Sequence, residues 1–263
     1  MNEALLDDIV RATLYNGYTL YPFKTALAPG RPQFPFGRVY PEAYSAFQNG
    51  SEPCLVQAEC LAQARCEEAA VEARVRFLHL TAREAGEPSW RQAVEREAGA
   101  GWIALQGEEA RRVKFYFPAS RDIEGMRQER VEGTIGMTVH RLGDGIFKIS
   151  VCVRNHTAMT PSDVKDTAAV MRRLFASTHI VLRGRDAEFV SQMEPPARLR
   201  TTAESMRNIG LWPALIGDER KAERELMLAS PVVLQDYPQL AADDEQPQFD
   251  SISAELSLTL DAI

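Results

Sequence analysis

His179 has the sequence surroundings best suited to chemistry in this chain. It stands in STHIVLRG (177–184), where a predicted helix ends and a strand begins. Carbonyls gather at such a junction and can hold a charged imidazole. A carboxylate brought beside it in a cleft, Asp236 or Glu188, would give hydrolase-like chemistry; a separation of more than about 10 Å, beyond direct hydrogen-bond reach, would end that version. Capping of the helix end is the simpler use of the same residue. The other histidines carry weaker signals. His79 closes an apolar run and reads as a buried, hydrogen-bonded ring, His140 faces the polar side of a hairpin, and His156 in RNHT (154–157) suits a turn. The adjacent pairs Asp7-Asp8, Glu67-Glu68 and Asp243-Asp244 diverge in regular structure and read as solvated charges.

QDYP (235–238) is the second candidate. Pro231 starts the apolar run Val232–Leu234 and Pro238 ends it. Asp236 can accept from nearby amides, and Tyr237, preceding a proline, is biased toward extended backbone. The segment reads as a rigid corner that also displays an acid and an aromatic, and tyrosine offers large contact area at little entropy cost. Asp236, Tyr237, Pro238, His179 and Phe249 are therefore the candidate interaction residues.

Several chemistries have no supporting motif. There is no G-x-S-x-G, H-E-x-x-H, phosphate-binding glycine loop or G-x-G-x-x-G. Cys54, Cys60 and Cys66 are spaced C-x5-C-x5-C, and Cys152 stands apart, so they read as buried free thiols and imply no metal or cofactor. Net charge is −7 over 263 residues, which argues against a general nucleic-acid binder. Arg111-Arg112-Val113-Lys114 and Arg172-Arg173 remain local basic contact points. No apolar run approaches the length of a membrane helix, and MNEALLDDIVRATLYNG (1–17) reads as an amphipathic helix and not a signal peptide, so a cytoplasmic location is expected.

The elements that must position these residues follow from periodicity. Leu5, Leu6, Ile9, Val10 and Leu14 predict a helix over 3–14. Five prolines in 18–47 exclude long regular elements there and suggest an aromatic-rich cover over an edge or cleft. PCLVQAECLAQA (53–64) and AVEARVRFLHLTAR (70–83) predict two strands of a hairpin. SWRQAVEREAG (89–99) predicts a helix capped by Ser89, and RRVKFYFPAS (111–120) another strand. The clearest hairpin is 131–153, two alternating runs around Gly143-Asp144-Gly145, with Ile135, Met137, Val139, Phe147, Ile149, Val151 and Val153 on one face. Beyond Pro161 the expected order is a helix capped by Ser162, a strand, a turn at Gly184 and a second strand. A helix from Pro195-Pro196 to Met206, a short strand LWPALIG (211–217) and a helix capped by Asp218 follow. The expectation is a single α+β domain over 1–263, with a change of texture near 160. An antiparallel sheet or β-sandwich-like N-terminal part would pack with a helix-containing mixed α/β C-terminal part.

Three segments in order, STHIVLRGRDAEFVSQMEPP (177–196), RNIGLWPALIGD (207–218) and MLASPVVLQDYPQLA (227–241), resemble an uncharacterised protein family associated with operons of nickel–iron hydrogenases. LYPFKTALAPGRPQFPFGRVYPEAYS (20–45) and LVQAECL (55–61) fit the same family, so the resemblance spans most of the chain. It implies a non-catalytic accessory protein in hydrogenase assembly, maturation or complex formation, binding a hydrogenase subunit or maturation factor; it carries over no catalytic residue. The tail FDSISAELSLTLDAI (249–263) keeps Phe249-Asp250 and Leu258-Thr259-Leu260 but loses acids between them, which puts in doubt any partner or metal binding those acids perform in relatives. Two alternatives stand beside this reading: an enzyme using a cleft near His179, and a structural subunit of a homo-oligomer joined through edge strands such as the 131–153 hairpin.

Overall fold

Alternating apolar and polar residues make the long strands of this chain, because successive side chains on extended backbone point to opposite faces. The computed structural model describes residues 6–11, 13–14, 37–83, 88–121 and 126–238, with backbone alone at 82–83 and 88–92. Twelve strands are found among them: β1 (Leu55–Ala64), β2 (Ala70–Arg83), β3 (Pro88–Ala104), β4 (Glu109–Phe117), β5 (Ser120–Arg121), β6 (Met126–Gln128), β7 (Val131–Gly143), β8 (Ile146–Asn155), β9 (Ala176–Arg185), β10 (Ala187–Phe189), β11 (Trp212–Ile216) and β12 (Leu226–Ser230). They form two antiparallel sheets, a five-stranded one in the order β10-β1-β8-β7-β4 and a seven-stranded one in the order β11-β12-β9-β2-β6-β5 with β3 also along β2.

The inner faces share one core. Val56, Ala58 and Cys60 of β1, Ile135 and Met137 of β7, and Ile149 and Val151 of β8 meet Val71, Val75 and Phe77 of β2, Ile180 and Leu182 of β9 and Met227 of β12. The two outer faces are treated differently. Helical residues 6–14 (residue 12 excepted) and a short helix, Thr167–Met171, cover the seven-stranded sheet, with Leu6, Ile9, Val10, Leu14, Val170 and Met171 packed on Leu78, Leu80, Val181, Ala214 and Leu228. On the five-stranded sheet, among the described residues, apolar packing covers one end, where Val190 and Ala203 pack on Leu61 and Ile146. The rest of that face is polar.

The fold is thus largely β, not evenly α+β, and several expected elements differ. The 89–99 segment is not a helix but part of β3, held along β2 through most of its length. The helix expected after Asp218 is a single 3-10 turn, Glu219–Lys221, and its apolar end becomes β12 between β11 and β9. Beyond Pro161 a 3-10 turn, Asp163–Lys165, starts after Ser162 as expected, but the Ser162 side chain makes no capping hydrogen bond; the α-helix proper, Thr167–Met171, is capped by Asp166, whose side chain accepts from the Ala168 N–H. The predicted 196–206 helix contracts to a 3-10 turn and Arg200–Glu204. For 89–99 and 226–230, tertiary strand pairing overrides the local period. β1 and β2 are strands as expected but not a hairpin: β1 pairs with β8 and β10, β2 with β3, β6 and β9, so the two face each other across the core. The 131–153 hairpin forms with the expected register around Asp144, yet both strands are interior, β7 between β4 and β8 and β8 between β7 and β1. It offers no free edge for self-assembly. The seven-stranded sheet takes strands from both sides of residue 160. No helix among the described residues is long and apolar enough to cross a membrane.

Close approach requires glycine at position 184. At Gly184, where β9 leads toward β10, an added Cβ would overlap the backbone carbonyl of Ala187. Gly184→Ala is expected to cost about 1–3 kcal/mol, as overpacking against immovable backbone does, read as a lowered urea midpoint; an unchanged midpoint would contradict the packing at this corner.

Candidate functional site

Strand register decides which side chains stand together on the open face of the five-stranded sheet. Arg112 of β4 lies opposite Gly136 of β7, which lies opposite Cys152 of β8, and Cys152 opposite Gln57 of β1. The next row is Lys114, Thr134, Arg154 and Leu55, and beyond it Tyr116 lies opposite Glu132. His156, just past β8, donates its backbone N–H to the Glu132 carbonyl at 3.0 Å, which brings its ring to the same corner. These residues line a groove of about 750 Å³. Gly136 leaves its floor open, since a Cβ there would meet only the Cys152 carbonyl oxygen, at 3.9 Å.

One wall comes from a short helix, Glu42–Phe47, anchored at its base by Asn155. Asn155 is fully buried; its amide donates to the carbonyls of Val39 and Arg173, both at 2.9 Å, and its oxygen accepts the Thr157 N–H at 2.9 Å. That clamp carries the Val39–Glu42 segment over the strand end. Glu42 then meets His156 Nδ1 at 2.9 Å and Arg154 Nη1 at 3.3 Å, while His156 Nε2 lies 3.0 Å from Thr134 Oγ1. Burial alone would raise the Glu42 carboxyl, but the hydrogen bonds and charges of His156 and Arg154 outweigh it and hold the group below the ordinary carboxylate range. Glu42 is therefore an anion at neutral pH and can only accept, so Nδ1 carries a proton. In the neutral ring Nε2 is then a bare acceptor, and Thr134 must donate its hydroxyl proton to it.

The groove is basic in an acidic chain. Arg130 is bound to Glu132 at 2.7 Å and sits over the exposed Tyr116 ring, 5.0 Å from its centroid. Arg112 and Lys114, both exposed, form no ion pair among the described residues. Cys152 is not a ready nucleophile: burial pushes its thiol up, with the Cys54 thiol adding to this, against smaller lowering effects of Arg154 and Arg112. The four cysteines are free thiols, but burial holds for Cys60 and not for the rest: Cys54 and Cys152 are half-buried and Cys66 is exposed. Among the described residues no three His, Cys, Asp or Glu side chains are grouped as a metal centre requires.

The residues singled out from sequence lie elsewhere. His179 is fully buried in β9; Nδ1 donates to the Ser177 carbonyl at 2.7 Å and Nε2 lies 3.3 Å from Ser230 Oγ. Its surroundings are a sheet interior and not a helix end, and burial depresses its pKa to about 4. Glu188 is tied to Arg65 on β10. Asp236 accepts the Leu215 N–H at 2.7 Å and the Ser191 hydroxyl, sharing no hydrogen-bond partner with His179. Tyr237 has a left-handed φ of 56°, not the expected extended backbone; its N–H donates to the Leu215 carbonyl at 2.7 Å and its ring packs on the core. With Pro238 buried, QDYP is a structural corner that locks β11 to the chain beyond β12. Phe249, and residues 18–36 of the proline-rich segment, lie outside the described residues. His156 was passed over from sequence because a strand-end position in RNHT shows nothing of a carboxylate 114 residues away. The one legible signal was the alternation of Arg112, Lys114 and Tyr116 along a predicted strand, which puts two cations and an aromatic on one face. No protein-family model matches the chain, and no curated protein matches it in sequence.

Proposed function

We propose that this is a binding protein whose working surface is the open face of the five-stranded sheet, and that an acidic segment of a protein partner docks there. The observation that carries the reading is the pair Arg112 and Lys114, two exposed cations without ion pairs among the described residues, on one face of a chain of net charge −7. Unmatched charge of this kind contributes little to folding but steers and orients an oppositely charged partner. Tyr116, backed by Arg130, adds the aromatic surface that anchors interfaces. Among the described residues β4 also ends its sheet, so an extended segment alongside it gains ladder hydrogen bonds as well as charge pairing. The resemblance of 177–241 to proteins of hydrogenase operons makes a hydrogenase subunit or maturation factor the first partner to seek, in an accessory role in assembly, maturation or complex formation.

A labelled hexaglutamate peptide titrated into the full chain is the direct probe. Binding should weaken several-fold between about 50 and 200 mM salt. The double variant Arg112→Glu, Lys114→Glu should lose about ten-fold or more in affinity while its thermal unfolding stays unchanged. Equal affinity for wild type and double variant would sink the reading. Tagged full chain purified natively from its source cell should recover hydrogenase components, and the double variant should not.

A further inference from the structure

We propose that Glu42, His156 and Thr134 form a charge-relay group that makes the groove an acyl-transfer site, with Thr134 as nucleophile and esters of anionic acids as the substrate class. The inference goes beyond binding and stands on different atoms. A nucleophile within hydrogen-bond reach of a base, and that base oriented by a third group, is the arrangement by which covalent acyl transfer works. All three parts are present: Thr134 Oγ1 is 3.0 Å from His156 Nε2, and His156 Nδ1 is 2.9 Å from Glu42. The carboxylate fixes the tautomer, so the Thr134 proton already points at the base that would take it. Lys114 and Arg154 flank Thr134 as its direct cross-strand neighbours on either side. Arg154 is engaged with Glu42, which leaves Lys114 to face the oxyanion and Arg112, one row on, to hold an anionic acyl group. Gly136 beside Thr134 leaves room for the acyl chain.

The balance of the step is as follows. Thr134 Oγ1 adds to the ester carbonyl carbon, the carbonyl π pair moves to oxygen, and the hydroxyl proton passes to His156 Nε2. Collapse re-forms the carbonyl and breaks the bond to the leaving alcohol, which takes the proton from Nε2. Water then gives its proton to Nε2 and its hydroxide to the acyl-threonine, and Thr134 departs with that proton. The sum is ester plus water to acid plus alcohol.

The test uses the full chain with p-nitrophenyl hemisuccinate, a monoanionic activated ester, and neutral p-nitrophenyl acetate for comparison. Wild type should hydrolyse the hemisuccinate faster than the acetate and show a succinyl adduct on the peptide containing Thr134. Thr134→Val, isosteric but without a hydroxyl, and His156→Gln should each reduce turnover about 100-fold or more, while Thr134→Ser, which keeps a hydroxyl nucleophile, should lose far less than Thr134→Val. Lys114→Met should reduce the preference for the anionic ester. Turnover in Thr134→Val equal to wild type, or lost in His156→Gln but not in Thr134→Val, would overturn the relay. Hexaglutamate binding in the same preparations separates the two readings: a wild type that binds the peptide but turns over neither ester overturns the relay alone.

Discussion

Replacing Asn155 by aspartate is expected to destabilise the protein by about 3–5 kcal/mol, the range for a buried charge left uncompensated. The substitution hardly changes shape, so the effect is chemical. The asparagine amide donates to two carbonyls, those of Val39 and Arg173, and the side chain has no exposure to water. An aspartate would aim a carboxylate oxygen at those two acceptors. Either it is ionised and repelled, or it takes up a proton and restores only one of two donors. The variant carboxyl is thus pushed above its unfolded value near 3.9. Its penalty is absent below that value and grows as pH rises toward the raised folded value, so the gap to wild type narrows in acid. Urea unfolding of both proteins at neutral pH and near pH 4 measures this. A loss below about 1 kcal/mol at neutral pH, the size of an ordinary neutral hydrogen bond, would mean that Asn155 is not the clamp described. Because the clamp carries the Val39–Glu42 segment, the same variant should also release Glu42 from His156 and Arg154, read as a shift in the His156 imidazole resonances.

Stability should fall steeply as pH drops from 6.5 to about 4, before most carboxylates titrate. His79 and His179 are both fully buried, and each has its pKa lowered to about 4. Burial is the main cause for both; for His79 Arg96 adds to it, and for His179 Arg76 does so to a lesser degree, against the backbone bonds to Arg172 and Ser177 that favour the charged ring. A histidine with a depressed folded pKa carries no penalty above its unfolded value of about 6.5, where both states are neutral. Between that value and the folded one the unfolded chain binds the extra proton, so stability is lost as pH falls. The slope is about 1.4 kcal/mol per pH unit for each ring, and the full loss about 3 kcal/mol each. The groups around them explain why the folded state resists protonation. His79 Nδ1 has no hydrogen-bond partner among the described residues. His179 Nε2 faces Ser230 Oγ, whose oxygen already accepts the Val232 N–H, so a proton on Nε2 would compete for that acceptor. Glu42 and Asp163, held low by their partners, add a further loss only at lower pH, as they titrate through their folded values. Urea midpoints across pH 7.5 to 4.5 give the slope, and His179→Gln should remove about half of it. A flat profile down to pH 5 would show that the rings are not buried neutral.

The paired strands β7 and β8 were readable from sequence because their two-residue period is a property of extended backbone, and Gly143-Asp144-Gly145 supplies the turn that closes them locally. The burial of Leu6, Ile9, Val10 and Leu14 follows in the same way from helical spacing. Local period does not identify a strand's partner. β1 and β2 are neighbours in sequence yet lie in opposite sheets, and 89–99, periodic enough for a helix, was drawn into β3 by the long edge of β2. Residues 219–230 repeat the lesson on a smaller scale, since burial between β9 and β11 outweighs the propensity of a short charged helix.

The site divides along the same line. The sequence by itself determined that Arg112, Lys114 and Tyr116 share a face, since alternation along one strand needs no outside partner. It also determined that QDYP is a corner, through Pro238, the upstream Pro231 and an acid suited to backbone amides. Only the tertiary structure decided that His179 is a sealed core ring and that His156 has a carboxylate on one nitrogen and a hydroxyl facing the other. Glu42 and His156 are brought together by sheet closure and by the Asn155 clamp across more than a hundred residues, and no pattern of local spacing encodes a contact made at that separation.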